Sequence, residues 1–508
     1  MTSSASVAVD RAAVVAPVRR RLFGGFVEHA GRGIYTGLYE PGHPTANEDG
    51  FRTDVIELVK ELGVTTVRYP GGNFVSGYRW EDGIGPREHR PRRRDLAWHV
   101  TETNEVGIDE FARWARLADS EIMLAVNLGT RGIQEGLDLL EYVNGPVGTT
   151  LADLRAANGS PDPYGITMWC LGNEMDGDWQ LGHLSAEDYG KLAARAAKAM
   201  HGAEPGLELV ACGSSWTGMP TFGEWERVVL EHTYDQVALI SCHAYYYEKD
   251  GDLGSFLASS LDMEHFIRTT VATADHVKHK LRKTRSIGIS FDEWNVWYQG
   301  RPPTESEAAD AARIEAGAWP VAPRQLEDRY SVADAVVVGS LLITLLRNAD
   351  RVECANLAQL VNVIAPIMTE PGGPAWRQTT FFPFSVTAHL ATGVVLAPRI
   401  QVDGYESAHG TAPLVDAAVT FDEAAGSAAI FLVNRDLAES RTVTIDVTSL
   451  GLTTVTEALT LHDDDVYAKN TLDDQTRVGL TKNDSATSAD GVVTVTLPPV
   501  SWTALALS

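Results

Sequence analysis

Several features that mark other classes of protein are scarce or absent in this 508-residue sequence. It has only four cysteines, Cys170, Cys212, Cys242 and Cys354, each within an apolar run and none in a CxxC pair. We therefore expect buried free thiols rather than a disulfide framework or a zinc site. No HxH or HExxH pattern occurs, and His29 and His243 stand alone, so we expect no catalytic metal. The glycine-rich segment 70–77 lacks both nucleotide-binding patterns, and we expect no cofactor.

Long apolar runs and excess positive charge are also missing. No apolar stretch reaches the ~20 residues that a membrane-spanning helix needs. The chain has 42 Lys and Arg against 68 Asp and Glu, a net charge of −26. Such a surface repels nucleic acid and anionic membranes, so we expect neither as a partner. The first residues, MTSSASVAVDRAAVV, have no basic start followed by an apolar core, so we expect no signal peptide and a cytoplasmic protein.

What the sequence does contain, over residues 19–385, is an alternation of short apolar runs with amphipathic segments. The helical segments include 51–62, 185–200 with a capping box from Ser185 to Asp188, and the almost wholly apolar 331–346. Near-continuous apolar runs are typical of strands buried on both faces. There are eight such runs, at 23–29, 65–70, 122–129, 166–174, 207–215, 237–246, 286–294 and 352–360. This α/β alternation predicts a catalytic (β/α)8 TIM barrel over 19–385.

Beyond residue 385 the pattern changes to short alternating segments separated by polar turns. Examples are 428–436, 441–450 and 491–500. This pattern predicts a C-terminal antiparallel β-sandwich, jelly-roll-like, over 386–508. Residues 1–18 also have strand character, and we expect them to complete the sandwich. The stretch 304–328 is interpreted as a long barrel insertion over the active face.

Polar groups concentrate where the predicted barrel strands end, which is where barrel enzymes place their active sites. Glu174 ends the fourth strand and Glu293 the seventh, so the two carboxylates face each other across the barrel mouth. Opposed carboxylates are what a glycosidase uses to protonate a leaving oxygen and attack an anomeric carbon. Asn173, beside Glu174, can bind a sugar 2-hydroxyl. Position alone leaves open a purely structural pairing of either glutamate with Arg68.

Aromatic residues near the same strand ends suit a glycan cleft, because sugar rings pack their apolar faces on aromatic planes. For any single tryptophan, core packing is the alternative. The set comprises Trp98, Trp179, Tyr245, Trp294 and Trp297.

Longer motifs resemble glycoside hydrolase family 51, the α-L-arabinofuranosidases of clan A. The resemblance covers nearly the whole chain. It is carried by GGFVEHAGRGIY, RYPGGNFVSGYRWEDGIGP, LAWHVTETNEVGIDEF, WCLGNEMDGDWQLGH, ISCHAYY, DEWNVWY and ANLAQLVNVIAPI. It implies a retaining, exo-acting enzyme with Glu174 as the acid/base and Glu293 as the nucleophile. It further implies furanose binding by Glu28, Asn73, Asn173, Tyr245 and Gln359, with Trp98 and Trp297 as aromatic walls.

The resemblance implies as well an arabinose-containing oligosaccharide or glycoside as substrate and a homo-oligomer, commonly a hexamer. Asp178 stands where the family usually has proline, and this departure puts linkage preference in doubt. An endo-β-glycanase of the same family is the alternative activity. A non-catalytic glycan-binding protein is the alternative from another class, although a pure binder needs neither Glu174 nor Glu293.

Overall fold

A computed structural model describes residues 4–508 and contains a closed barrel of eight parallel strands. The predicted runs form these strands in chain order, and each strand pairs with its neighbours in sequence until the eighth closes on the first. The barrel strands are Gly24–Phe26, Thr66–Tyr69, Glu121–Val126, Met168–Leu171, Glu208–Ala211, Leu239–Tyr246, Gly288–Val296 and Val352–Ala358. The predicted TIM barrel is therefore confirmed.

Helices connect the barrel strands and surround them, as a parallel barrel requires. Ala186–Ala203 begins as predicted, because the Ser185 side chain accepts a hydrogen bond from the backbone N–H of Asp188. The helices are Thr53–Leu62, Gly72–Val75, Ile108–Leu117, Ile133–Asn144, Thr150–Ala157, Ala186–Ala203, Glu224–Thr233, Leu253–Leu257, Ser260–Lys280, Glu305–Glu315, Val332–Arg347 and Phe381–Leu390. Within residues 4–508 no helix combines the length and apolarity needed to cross a bilayer.

The second unit is a sandwich of two sheets around its own apolar core. One sheet contains Arg399–Gln401, Ser4–Ala8, Arg441–Asp446, Val492–Leu497 and Thr487–Ala489. The other contains Val14–Pro17, Val394–Leu396, Val415–Asp422, Ser427–Asn434, Ser501–Leu507, Val455–Leu461 and Leu480–Lys482. Three two-stranded ribbons stand apart, Arg93–Asp95 with Val100–Glu102, Ile367–Thr369 with Ala375–Arg377, and Gly404–Ser407 with Gly410–Pro413.

The N-terminal segment belongs to this sandwich. Ser4–Ala8 runs parallel to Arg441–Asp446, whereas the other sandwich pairs are antiparallel. The expected antiparallel sandwich therefore has one parallel pair. Residues 1–3 of the predicted segment 1–18 lie outside the described residues. The expected boundary between barrel and sandwich, at 385/386, falls inside the helix Phe381–Leu390. We propose that the boundary lies after that helix.

The helix Val332–Arg347 joins the two units, since every residue from Val332 to Leu346 is buried. Its Gly339 packs against Trp502 of the sandwich so closely that a Cβ there would collide with the indole. Nearby, the buried Arg435 of the sandwich donates to Asp416 at 3.1 Å and to Ser340 of the helix at 2.6 Å. The sandwich thus braces the outer face of the barrel and leaves the C-terminal ends of the barrel strands open.

Candidate active site

A cavity of about 1000 Å³ opens at the C-terminal ends of the barrel strands. The loops after the strands deliver its polar groups, because all eight strands point toward this mouth. The insertion predicted at 304–328 contributes part of the wall through Glu307, Arg324 and Asp328. Eight of the nine candidate residues line the cavity, namely Glu28, Asn73, Trp98, Glu174, Tyr245, Glu293, Trp297 and Gln359.

Glu174 and Glu293 face each other across the floor of this cavity. One carboxylate oxygen of each lies within 4.8 Å of the other. Retaining glycosidases hold their two carboxyl groups about 5–5.5 Å apart, whereas inverting enzymes leave about 6.5–9.5 Å for a water molecule. The observed separation fits direct attack by one carboxylate on a sugar bound between them.

Glu293 is held in place by two donors. Arg68 donates from Nη1 to Oε1 at 2.6 Å, and the Tyr245 hydroxyl donates to Oε2 at 2.7 Å. Burial alone lowers the pKa of Arg68, but Asp292 and Glu293 outweigh it and raise that pKa well above its usual value. The structural pairing with Arg68 that the sequence left open is therefore present. It does not exclude a catalytic role, because Glu293 also lines the cavity.

Glu174 sits in a different electrostatic environment. Burial raises the pKa of its carboxyl; the hydrogen bond from His243 lowers that pKa, and the charge of Glu293 raises it again. The net direction is upward, as a general acid requires. Trp179 donates from Nε1 to Oε2 at 2.7 Å and fixes the carboxyl orientation. The backbone at Glu174 has φ of 42°, a left-handed conformation rarely adopted by non-glycine residues and often found at functional sites.

His243 is the central residue to which the sequence analysis assigned no role. Its Nδ1 lies 2.9 Å from Glu174 Oε1 and its Nε2 lies 2.9 Å from Asp292 Oδ1. Burial lowers the pKa of His243, but Glu293, Asp292 and Glu174 together raise it to about 10. The imidazole is therefore protonated at neutral pH and donates from both nitrogens. The HAYY strand end carried this signal, since it places an ionisable side chain between the two glutamate-bearing strands.

Glu174, His243 and Glu293 are also close enough together to hold a metal ion. A metal ligand must be a neutral imidazole with a free lone pair. Because both nitrogens of His243 carry protons when they face carboxylates, this arrangement suits proton transfer better than metal binding.

Glu28 also lines the cavity, and its carboxylate accepts hydrogen bonds from three donors. The backbone N–H of Phe74 reaches Oε1 at 2.9 Å, Trp98 Nε1 reaches it at 2.8 Å, and Gln359 Nε2 reaches Oε2 at 3.2 Å. Burial raises the pKa of Glu28 to about 8, although Phe74 and Trp98 act against this shift. Glu28 is thus poised to exchange a proton or hydrogen bond with a hydroxyl group that enters the cavity.

Two aromatic or polar candidates behave differently from the rest. Asn173 is buried behind the cavity wall, where its Oδ1 accepts from Arg68 Nη2 at 2.7 Å. Trp294 is fully buried and stacks near Phe384, so it packs the core instead of facing a ligand. Trp297 meets the edge of Tyr245 with ring centres 5.1 Å apart and forms a wall of the cavity.

Comparison with known proteins decides the family. A model of the α-L-arabinofuranosidase 1 domain matches residues 58–252, and a model of the α-L-arabinofuranosidase C-terminal domain matches residues 292–501. A structure of a family 51 α-L-arabinofuranosidase from Bifidobacterium longum superposes with a TM-score of 0.94 at 52% identity, covering 100% of both chains. The chain belongs to the α-L-arabinofuranosidases of glycoside hydrolase family 51.

Other relatives of this arabinofuranosidase cover it almost completely. An exo-α-(1→6)-L-arabinofuranosidase from Bifidobacterium longum is 58% identical over 98% of this chain and 96% of its own. An intracellular exo-α-(1→5)-L-arabinofuranosidase from Streptomyces lividans is 54% identical over 99% of this chain and 75% of its own. The arabinose complex of the Thermotoga maritima α-L-arabinofuranosidase has a TM-score of 0.88 at 33% identity, covering 99% of both chains.

Proposed function

We propose that this arabinofuranosidase works by double displacement, with Glu293 as nucleophile and Glu174 as general acid and base. The observation that carries the proposal is the approach of the two carboxylates within 4.8 Å, together with their unlike surroundings. Glu293 accepts hydrogen bonds from the Arg68 guanidinium and the Tyr245 hydroxyl, which hold its carboxylate in position. Glu174 has a raised pKa and can hold a proton for the leaving group.

In the first step Glu293 attacks the anomeric carbon while Glu174 gives its proton to the departing oxygen. A glycosyl ester forms on Glu293, and the leaving sugar departs as a neutral alcohol. Esterification removes the negative charge that raised the pKa of Glu174, so that pKa falls. In the second step Glu174 takes a proton from water, and the water oxygen displaces Glu293 from the anomeric carbon.

The enzyme is an exo-acting α-L-arabinofuranosidase. Its relatives are named for α-(1→5) and α-(1→6) linkages. In both linkages the leaving oxygen is a primary exocyclic hydroxyl, O5 of arabinofuranose or O6 of a hexopyranose. We propose that this enzyme releases terminal α-L-arabinofuranosyl groups from such primary positions of arabinose-containing oligosaccharides. The relatives named as intracellular support the same compartment for this chain.

Recognition of the five-membered ring is assigned to Glu28, Asn73 and Gln359, with Trp98 and Trp297 as walls. The polar three come from separate strand ends and line the same cavity. A site that hydrogen-bonds substrate hydroxyls rejects analogues that leave its buried polar groups unpaired. Asn173 accepts a hydrogen bond from Arg68, and we propose that it also binds a substrate hydroxyl when the sugar is present. The family resemblance further suggests a hexamer, which light scattering on the purified enzyme would detect.

Azide rescue of two alanine variants tests the assignment of roles. Glu293→Ala should be inactive on all substrates, because no glycosyl ester can form, and azide should restore turnover with an inverted azide product. Glu174→Ala should still react with substrates that carry a good leaving group, and azide should speed release with retention. The reverse stereochemical pattern would show that the two roles are exchanged.

Neither alternative from the sequence gains support from the site. An endo-acting glycanase is disfavoured because the relatives of this chain are named as exo-acting arabinofuranosidases. A glycan-binding protein has no use for two carboxylates at nucleophile–acid spacing.

A further inference from the structure

Exposed aromatic side chains are few in this enzyme, and they cluster. Among residues 4–508, four aromatic side chains are exposed, namely Trp179, Trp216, Tyr247 and Tyr467. Three of them line the catalytic cavity, and only Tyr467 lies elsewhere. Trp179 is 49% and Trp216 is 52% exposed. An exposed indole carries a cost in contact with water, so such clustering around one cavity points to an apolar ligand face that covers it.

Both tryptophans are fixed in place by a glycine of the same loop. The ring of Trp179 lies across Gly177 and the ring of Trp216 lies across Gly218, each so closely that a Cβ on the glycine would collide with the indole. Neither glycine has a left-handed backbone that would by itself require glycine. Glycine is therefore needed because it leaves room for the indole, which lies against the backbone and presents its other face outward.

The two loops that carry these rings are joined by a partly buried carboxylate. Asp176 accepts hydrogen bonds from the backbone N–H of Ser215 at 3.0 Å and from its hydroxyl at 2.5 Å. Thr217 in turn donates to Asp262 at 3.1 Å, which anchors the second loop to the helix Ser260–Lys280. The indoles are consequently held in a fixed relation before any ligand binds, which reduces the ordering cost of binding.

The position of Glu174 tells which part of the substrate these rings meet. Trp179 donates a hydrogen bond to Glu174 directly. Trp216 lies one step further away, because its neighbour Ser215 bonds to Asp176, two residues after Glu174. Because the general acid protonates the leaving oxygen, groups on its side of the cavity face the leaving sugar rather than the arabinofuranose. We propose that Trp179 stacks on the first sugar of the leaving group and Trp216 on the second. This inference rests on the proposed function.

With both tryptophans in contact with substrate, the enzyme would have a higher kcat/KM for longer oligosaccharides. A disaccharide places one sugar beyond the scissile bond and cannot reach Trp216, whereas a trisaccharide can. Stacking on an indole contributes about 1.4 kcal/mol, or roughly tenfold in kcat/KM. Of the charged side chains in the same cavity wall, Arg301 is already paired with Glu307 and Asp328, so Lys249 is the one that can reach sugar hydroxyls.

Kinetics on α-(1→5)-linked arabinobiose and arabinotriose test the inference. Trp216→Ala should lower kcat/KM for arabinotriose about tenfold and leave arabinobiose and a nitrophenyl α-L-arabinofuranoside within about twofold. Trp216→Phe should recover part of the loss. Leu472→Ala is the matched control, since Leu472 is an exposed apolar residue absent from the cavity wall.

A second variant separates stacking from simple damage to the loop. Gly218→Ala should displace the Trp216 ring and reproduce the selective loss on arabinotriose, while adding nothing in the Trp216→Ala background. Equal losses on both oligosaccharides, no loss on either, or no preference of the wild-type enzyme for the trisaccharide would overturn the inference. Failure of the wild-type enzyme on the nitrophenyl arabinofuranoside would instead refute the proposed function.

Discussion

His243 offers a direct test of how the site sets the proton affinity of its general acid. Its Nδ1 donates to Glu174 Oε1 over 2.9 Å, and the imidazole carries a positive charge because its pKa is raised to about 10. A hydrogen bond to a charged group contributes about 1.5–3 kcal/mol. This interaction therefore lowers the pKa of Glu174. Removing it should move the basic limb of the pH profile to higher pH.

His243→Gln and His243→Asn form the informative pair. The longer Gln amide can reach toward Asp292 and leaves Glu174 without its donor, whereas the Asn amide can keep a neutral donor near the Nδ1 position. We expect the basic limb of kcat/KM against pH to move to higher pH in the Gln variant and to move less in the Asn variant. The substrate should be an aryl arabinofuranoside with a poor leaving group, so that proton donation limits the rate.

The control is Cys242→Ala, because Cys242 is on the same strand but contacts Thr270 of an outer helix. Its pH profile should match that of the wild-type enzyme. A basic limb that stays in place or moves down in His243→Gln would refute the claim that His243 holds the pKa of Glu174 down.

Two further predictions concern stability. Burial raises the pKa of Glu28 to about 8, so the folded state loses stability relative to the unfolded chain as pH rises from about 4.5 through 8. Glu28→Gln removes this titration, and the Tm of the variant relative to that of the wild-type enzyme should therefore be higher at pH 9 than at pH 5. A Tm difference that does not change with pH would contradict the raised pKa. Arg435→Met leaves Asp416 without one of its two arginine partners at the barrel–sandwich contact. Urea denaturation should show a loss of about 3–5 kcal/mol, and a loss below ~1 kcal/mol would show that Arg347 alone satisfies the carboxylate.

The barrel was predictable because its strands are buried on both faces and therefore read as continuous apolar runs. The residues at which the strands end were harder to predict. The run 166–174 predicts a strand to Glu174, but the strand stops at Leu171 because Gly172 and Glu174 both adopt positive φ. Local hydrophobicity cannot report a backbone turn that serves to aim a carboxyl group into a cavity.

The catalytic pair and most of the binding residues could be chosen from position and family resemblance. The position of His243 at a strand end was visible in the sequence, but the roles of His243 and Asp292 could not be assigned, because these roles depend on contacts between strands four, six and seven that no spacing in the sequence encodes. Trp294 lies within the strand Gly288–Val296, points to the outer helix layer and packs near Phe384, whereas Trp297 follows the end of that strand. Because side chains alternate along an extended chain, the odd separation of three residues places the two rings on opposite faces.

The parallel pairing of Ser4–Ala8 with Arg441–Asp446 has a consequence for synthesis on the ribosome. The first strand leaves the exit tunnel long before its partner exists, and at about 5–20 residues per second it waits roughly 20–90 s. During that time its backbone groups are unpaired, and a second nascent chain offers the same partner strand. The polar residues that alternate along it, Ser4 and Ser6, reduce its tendency to associate. The sheet that contains Ser4–Ala8 therefore cannot be completed before the strand Val492–Leu497 has been synthesised.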